Sequence, residues 1–142
     1  MSVLNEKEQS MYKLSMSMGE QGYEMSHDNA HWVLLKGLGY SPVQMLIASI
    51  GACGGYVLDS ILDKMQIDHV MKDIEMDFDV NHDSKAKEPT FVSMVFHVQL
   101  SNEQNQDKTL HALTLVHKYC PVMLSLNDDI KIEKSIKFVN AE

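Results

Sequence analysis

The chain carries the segment SPVQMLIASIGACGGYVLDSILDKM at residues 41–65, and this segment predicts the central element of the fold. Ser41 followed by Pro42 is typical of a helix start, because serine caps the first turn and proline fits the first helical position. Apolar residues continue to Met65. The sequence therefore predicts one long helix of roughly 36 Å at 1.5 Å per residue.

Three glycines interrupt this predicted helix, at Gly51, Gly54 and Gly55. Each glycine costs a helix roughly 1 kcal/mol relative to alanine. A helix keeps such residues where another backbone approaches closely or where a side chain must be reachable. The glycines therefore predict a central, closely packed helix, and a second copy of the chain is one partner that it could pack against.

Residues 42–58 are also the best candidate for a membrane span. They include Gln44, Ser49 and the three glycines, and they run directly into Asp59. A span needs about 20 predominantly apolar residues, so this segment is slightly short and too polar. We therefore expect a buried helix and no membrane partner.

Strands are predicted on both sides of this helix, because apolar and polar residues alternate there. The alternating segments are 12–18, 23–25, 32–35, 74–80, 92–100 and 130–138. Polar residues 82–89 fit a hairpin loop, and residues 19–22 fit a turn. A second helix is predicted after Asp107 as its cap, and Pro121 should break it. This order of elements predicts an α+β fold in a single domain over residues 1–142.

The charge of the chain excludes several kinds of partner. The formal net charge is −8. The 12 basic residues are all lysines, so the chain contains no arginine, and these lysines form no local cluster along the sequence. Nucleic acids and anionic membranes both attract clustered cations, and we expect neither as a partner. The first residues lack the apolar run of a secretory signal, which predicts a cytoplasmic location. A permanent disulfide is not expected in that reducing compartment.

The chain contains two cysteines, Cys53 in the long helix and Cys120 directly before Pro121. Each could be a small buried apolar residue or a reactive thiol, since free cysteine is among the most buried residues. His117 lies three residues before Cys120 and could form a metal-ligand pair with it. No third or fourth ligand stands at a recognisable spacing, so no metal or other cofactor is predicted.

The segment from Ser41 to Cys53, which ends in Gly51-Ala52-Cys53, resembles the long-helix signature of the OsmC/Ohr family. The dipeptide Cys120-Pro121 is similar to the second signature of that family, near the end of its second helix. Both signatures occur at the family's spacing, and the order of the strands agrees along nearly the whole chain.

This resemblance implies an OsmC-like fold, with antiparallel sheets wrapped around two central helices in an intertwined homodimer. It also implies a thiol peroxidase that reduces organic hydroperoxides. Cys53 would be the peroxidatic thiolate and Cys120 the resolving thiol, with a disulfide between them as the product. A dithiol or a lipoylated protein would serve as the reductant, so a thiol co-substrate takes the place of a cofactor.

The sequence departs from the hydroperoxide-resistance branch of that family at two positions. Members of the branch carry a glutamate ten residues before the first cysteine, where this chain has Val43 followed by Gln44. They also carry an arginine in the turn after the first strand, where this chain has residues 19–22 with Glu20. Gln44 and Glu20 are therefore possible supporting residues of the site, although a carboxylate close to Cys53 would disfavour its thiolate.

These departures leave two other functional hypotheses open. One is a dimeric OsmC-fold protein that binds a small apolar or electrophilic molecule with little or no peroxidase turnover. The other is a purely structural role for both thiols. Two motifs therefore predict the family, whereas the activity depends on the groups that surround Cys53.

Overall fold

The computed structural model describes residues 17–18, 20–21, 23–27, 30–35 and 37–140. The chain divides into two compact units, residues 1–42 and 43–142. The strands are β1 (Ser17–Met18), β2 (Tyr23–His27), β3 (Ala30–Val33), β4 (His69–Val80), β5 (Pro89–Leu100) and β6 (Lys131–Phe138). The α-helices are α1 (Pro42–Lys64), α2 (Gln106–Tyr119) and α3 (Pro121–Leu124), and a short 3₁₀ helix covers Glu103–Asn105.

The first unit contains an antiparallel sheet in the order β1–β2–β3. Glu20 and Gln21 lie in the bend between β1 and β2, as the sequence predicted for that turn. Trp32 pairs with Met25 across β2 and β3. Residues 12–16 of the predicted first strand, together with Gly19 and Gly22, lie outside the described residues.

The second unit contains a mixed sheet in the order β4–β5–β6. β4 and β5 pair in antiparallel fashion as the predicted hairpin, whereas β5 and β6 pair in parallel, with Phe96 beside Ile136. The expectation of purely antiparallel sheets is therefore wrong for β6. The chain leaves the end of β5 and returns through α2 and α3, and such a helical crossover brings the next strand in parallel. The α+β class itself is confirmed.

Helix α1 has the character of a core helix. Its buried residues recur at helical spacing along one face: Ile47, Ile50, Gly51, Gly54, Gly55, Leu58 and Leu62. By length and composition alone it could cross a membrane. The apolar residues on its buried face pack inside the protein, as in the core helix of a folded domain. This agrees with the buried helix that the sequence predicts.

The glycines of α1 allow large side chains of the sheet to approach the helix axis. A Cβ on Gly55 would lie 2.9 Å from Ile74 Cδ1, and one on Gly51 would overlap the side chain of Met76. A Cβ on Gly54 would lie 3.2 Å from Phe96 Cζ. The predicted close packing is therefore present within one chain, where side chains of β4 and β5 fill the space beside the helix.

The second predicted helix begins two residues earlier than expected. Asp107 lies within the first turn of α2, and the residue at the cap position is Asn105, which makes no side-chain capping hydrogen bond. An acidic residue in the first turn is favourable because the helix amino end carries partial positive charge. Pro121 ends α2 as predicted, and it then occupies the first position of α3.

A single core lies between these helices and one face of the β4–β5–β6 sheet. The fully buried members from β5 are alternate residues of that central strand: Val92, Met94, Phe96 and Val98. α2 contributes Ala112, Leu113 and Val116, α3 contributes Met123, and Cys120 lies between these two helices. One cysteine is therefore part of the core.

Candidate thiol site

Cys53 lies at the middle of α1, on the edge between its buried face and its exposed face. The residues on either side of it, Ala52 and Gly54, are exposed and buried respectively. Cys53 itself is partly exposed, and it packs against the hydrophobic core. The helix therefore fixes the position of a cysteine that is neither fully buried nor fully exposed.

Cys120 lies in the break between α2 and α3 and is fully buried. Its backbone is extended, with φ −93° and ψ 107°. A residue that precedes proline is disfavoured in the α-helical region, because the proline ring collides with its backbone. Pro121 therefore both ends α2 and fixes the conformation in which Cys120 holds its thiol.

The two thiols are in direct contact although 67 residues separate them in the chain. Cys120 Sγ donates a hydrogen bond to Cys53 Sγ at 2.9 Å, and both cysteines are free thiols. A disulfide bond is about 2.03–2.05 Å long. The fold therefore brings together the two cysteines that the sequence singled out and holds them close to bonding distance.

The surroundings of Cys120 favour its protonated form. Burial raises the pKa of Cys120, and the contact with Cys53 raises it further, whereas backbone hydrogen bonds from Met123 and Val122 act in the opposite direction. A thiol that stays protonated can donate the hydrogen bond that Cys53 receives. Cys53, the partly exposed residue, is thus the acceptor, and the buried Cys120 is the donor.

A cavity of about 460 Å³ lies between α1 and α2, and some of its lining residues are close to the two cysteines in the sequence. Val57 lines it one helical turn after Cys53, and Tyr119 lines it directly before Cys120. The remaining lining residues are Ser60, Ile61, Lys64, Met65 and Leu115. Its walls are mainly apolar, with one ammonium group from Lys64.

The two predicted supporting residues, Gln44 and Glu20, belong to different units of the chain. Gln44 precedes Cys53 by nine residues on the same helix, which is about 13.5 Å along the axis and on the opposite face. This chain's own Gln44 therefore does not contact Cys53. Glu20 is exposed in the first unit. A supporting role for either residue stays a prediction.

Side chains with metal-ligating atoms converge elsewhere in the described part of the chain, at Asp59, Asp63 and His69. His69 Nε2 lies only 2.6 Å from Asp59 Oδ1. An ion bound to both atoms at about 2.0–2.2 Å keeps them roughly 3 Å apart. The contact is therefore a direct hydrogen bond. His117, which was considered as a ligand beside Cys120, is exposed on α2.

Comparisons with known proteins agree with this fold. A sequence model described as OsmC-like protein matches residues 35–135. A search of curated protein sequences finds no match.

Solved structures resemble the chain over nearly its whole length. A hypothetical protein from Aquifex aeolicus superposes with a TM-score of 0.72 at 18% identity, covering 94% of this chain and 99% of that one. An OsmC-like protein from Mycoplasma pneumoniae gives 0.70 at 13% identity, covering 92% and 98%. The organic hydroperoxide resistance protein OhrB of Bacillus subtilis gives 0.59 at 15% identity, covering 88% and 96%.

At these identities the structural likeness establishes the fold. The sequence model spans well over half of the chain, including Cys53 and Cys120. The chain therefore belongs to the OsmC-like protein family.

Proposed function

We propose that this protein is a thiol-dependent peroxidase that reduces organic hydroperoxides with Cys53 and Cys120. The observation that carries the proposal is the 2.9 Å contact between two free thiols from distant parts of the chain. A similar fold in a protein named for organic hydroperoxide resistance supports the choice of substrate class.

The proposed cycle begins at Cys53, because this residue is partly exposed while Cys120 is buried. The Cys53 thiolate attacks the outer peroxide oxygen, the O–O bond breaks, and the product leaves as an alcohol after taking up a proton. Cys53 becomes a sulfenic acid. Cys120 then attacks the Cys53 sulfur, water leaves, and a disulfide forms.

A second thiol compound closes the proposed cycle. A dithiol or a lipoylated protein gives up two electrons and two protons, becomes a disulfide itself, and restores both cysteines. The mainly apolar cavity between α1 and α2 supports an organic peroxide over hydrogen peroxide, since its walls offer a surface for a carbon chain.

We also propose that the protein acts in the cytoplasm as an intertwined homodimer with α1 at its centre. Several large apolar side chains of α1 are exposed in the single chain, with Tyr56 at 77% and both Val43 and Leu46 at 37%. Covering such residues with a second copy would remove apolar surface from water. Light scattering of the purified protein tests this directly, because a monomer mass would contradict it.

The peroxidase proposal is tested by treating the reduced protein with cumene hydroperoxide and following its intact mass. We expect a loss of two hydrogens per chain in the wild type, from the Cys53–Cys120 disulfide. Cys120→Ser should instead stop at the sulfenic acid on Cys53, and Cys53→Ser should react no faster than free cysteine. Oxidation of the wild type at the rate of free cysteine would contradict the proposal.

A second candidate function is supported by what the chain lacks. It contains no arginine to stabilise a thiolate, and Val43 stands where hydroperoxide-resistance proteins carry a glutamate. On this reading the protein binds a small apolar or electrophilic molecule with little turnover. Slow oxidation by the peroxide, together with tight binding of an apolar probe, would favour this function over the peroxidase.

A further inference from the structure

His69, the first residue of β4, is held by hydrogen bonds at both ring nitrogens. Nδ1 lies 2.7 Å from the carbonyl oxygen of Ile67, and Nε2 lies 2.6 Å from Asp59 Oδ1. The side chain is only 3% exposed. The imidazole therefore connects the end of α1 with the start of β4 in a place that water barely reaches.

Both partners of this ring are hydrogen-bond acceptors. A neutral imidazole carries one N–H donor and one lone pair, so it can satisfy either Ile67 or Asp59 but not both. Only the protonated ring donates at both nitrogens. In the neutral form, one ring nitrogen lone pair would face an oxygen lone pair, which is unfavourable because the His69 side chain is shielded from water.

The charges around the ring also favour the protonated form. Asp59 and Asp63, from successive turns of α1, are the carboxylates that face Nε2, at 2.6 Å and 3.9 Å. On the strand side, His69 pairs with Leu100 of β5, which carries no charge. The neighbouring Asp68 accepts a hydrogen bond from Ser101, and Lys72 of β4 shares a cavity with Asp59.

We propose that His69 is a proton-controlled link that fastens the C-terminal half of α1 to β4. The same part of α1 carries Ser60, Ile61 and Lys64, which line the cavity between α1 and α2. The proton on His69 thus controls how firmly one wall of that cavity is held. The link does not depend on the proposed peroxidase activity, and its test uses no peroxide.

The direction of the effect follows from the contacts. Burial by itself lowers the pKa of His69, but the hydrogen bonds to Ile67 and Asp59 and the two nearby carboxylates outweigh it, so the pKa is raised above 6.5. The link therefore contributes its full stability below about pH 6.5 and loses it as the pH rises through the folded-state pKa. Alkaline conditions should loosen the end of α1.

The test measures the proton and the loosening separately on the full chain. Nuclear magnetic resonance of the imidazole of His69 should give a titration midpoint above 6.5. Hydrogen exchange, corrected for the intrinsic pH dependence of amides, should show that protection of residues 59–69 falls between pH 6 and pH 9. The expected fall is about tenfold for each unit by which the midpoint exceeds the unfolded value.

Two variants make the test specific. His69→Gln cannot take up a proton, so the protection of residues 59–69 should become independent of pH. His82→Gln is the matched control, because exposed His82 also contacts an aspartate, Asp79 at 2.8 Å, and its loss should leave the pH dependence unchanged. If His69→Gln fails to fold, the titration midpoint of His69 in the wild-type protein tests the proposal instead. A midpoint at or below 6.5, or a protection that does not change with pH in the wild type, would overturn the proposal.

Discussion

The two cysteines have the same side chain but occupy different environments. Cys53 is partly exposed on a helix, whereas Cys120 is buried in a helix break and donates its S–H to Cys53. A thiolate is the reactive form of cysteine, and it must also be reached by the reagent. Burial and a raised pKa both act against Cys120, so the structure divides the pair into a partly exposed cysteine and a protected one.

We predict that iodoacetamide alkylates Cys53 before Cys120 in the reduced protein at pH 7. Each unit by which the pKa of Cys120 is raised lowers its thiolate fraction roughly tenfold, and burial slows access further. Peptide mass spectrometry at short times should therefore find the label on Cys53, with Cys120 modified at least roughly tenfold more slowly.

The Cys53→Ser variant provides the control for this experiment. It keeps Cys120 buried but removes the second sulfur, so Cys120 should remain slow to alkylate. Unfolding the variant in urea should make Cys120 react at the rate of a free cysteine. Equal labelling of the two cysteines in the folded wild type would contradict the prediction.

The sequence identified both thiols because each stands in a short motif, Gly51-Ala52-Cys53 or Cys120-Pro121. It could not identify His69. The bonds of this ring join it to a helix residue ten positions earlier and to a backbone carbonyl, and no local pattern records them. Gln44 lies nine residues before Cys53, and two and a half turns of one helix separate the two residues, so nearness in sequence alone does not bring them into contact.

Among the secondary-structure elements, the break between α2 and α3 positions Cys120, and Pro121 forms that break. It ends α2, holds Cys120 in an extended conformation and begins α3. Without the proline ring, residue 120 could adopt helical angles and α2 could continue. The thiol of Cys120 would then leave the orientation in which it contacts Cys53.

We predict that Pro121→Ala slows formation of the Cys53–Cys120 disulfide roughly tenfold, which corresponds to about 1.4 kcal/mol in the barrier. The reason is that the helical conformation competes with the extended one at Cys120. The rate can be measured by stopping the reaction of the reduced protein with diamide at short times and counting free thiols.

Pro89→Ala is the control, because it makes the same substitution at the start of β5, outside the break between α2 and α3. Its rate should match that of the wild type. A Pro121→Ala variant that forms the disulfide at the wild-type rate would show that packing around Cys120, and not the proline, holds the extended conformation.

At the level of elements, most of the fold could be predicted from alternation and helix signals. Apolar alternation located β4, β5 and β6, because each strand has one face on the core. The direction of β6 could not be read in this way, since alternation is the same in parallel and antiparallel strands. Direction depends on the path of the crossover through α2 and α3, which is a property of the whole second unit.

At the scale of the molecule, the thiol pair joins two distant parts of the second unit. The chain between Cys53 and Cys120 contains the second half of α1, the β4–β5 hairpin and α2. These elements supply most of the core. A covalent bond at the pair therefore restrains the segment on which the stability of the unit depends.

We predict that the oxidised protein is more stable to unfolding than the reduced protein by about 4 kcal/mol, since a closed loop of this length restricts the unfolded chain. The loop spans 67 residues. Urea denaturation of both forms, with and without dithiothreitol, measures the difference as a higher midpoint for the oxidised form.

The Cys53→Ser/Cys120→Ser double variant is the control and should show the same midpoint with and without the reductant. An oxidised form that unfolds at the same or a lower urea concentration than the reduced form would mean that the bond strains the folded core by as much as it restricts the unfolded chain.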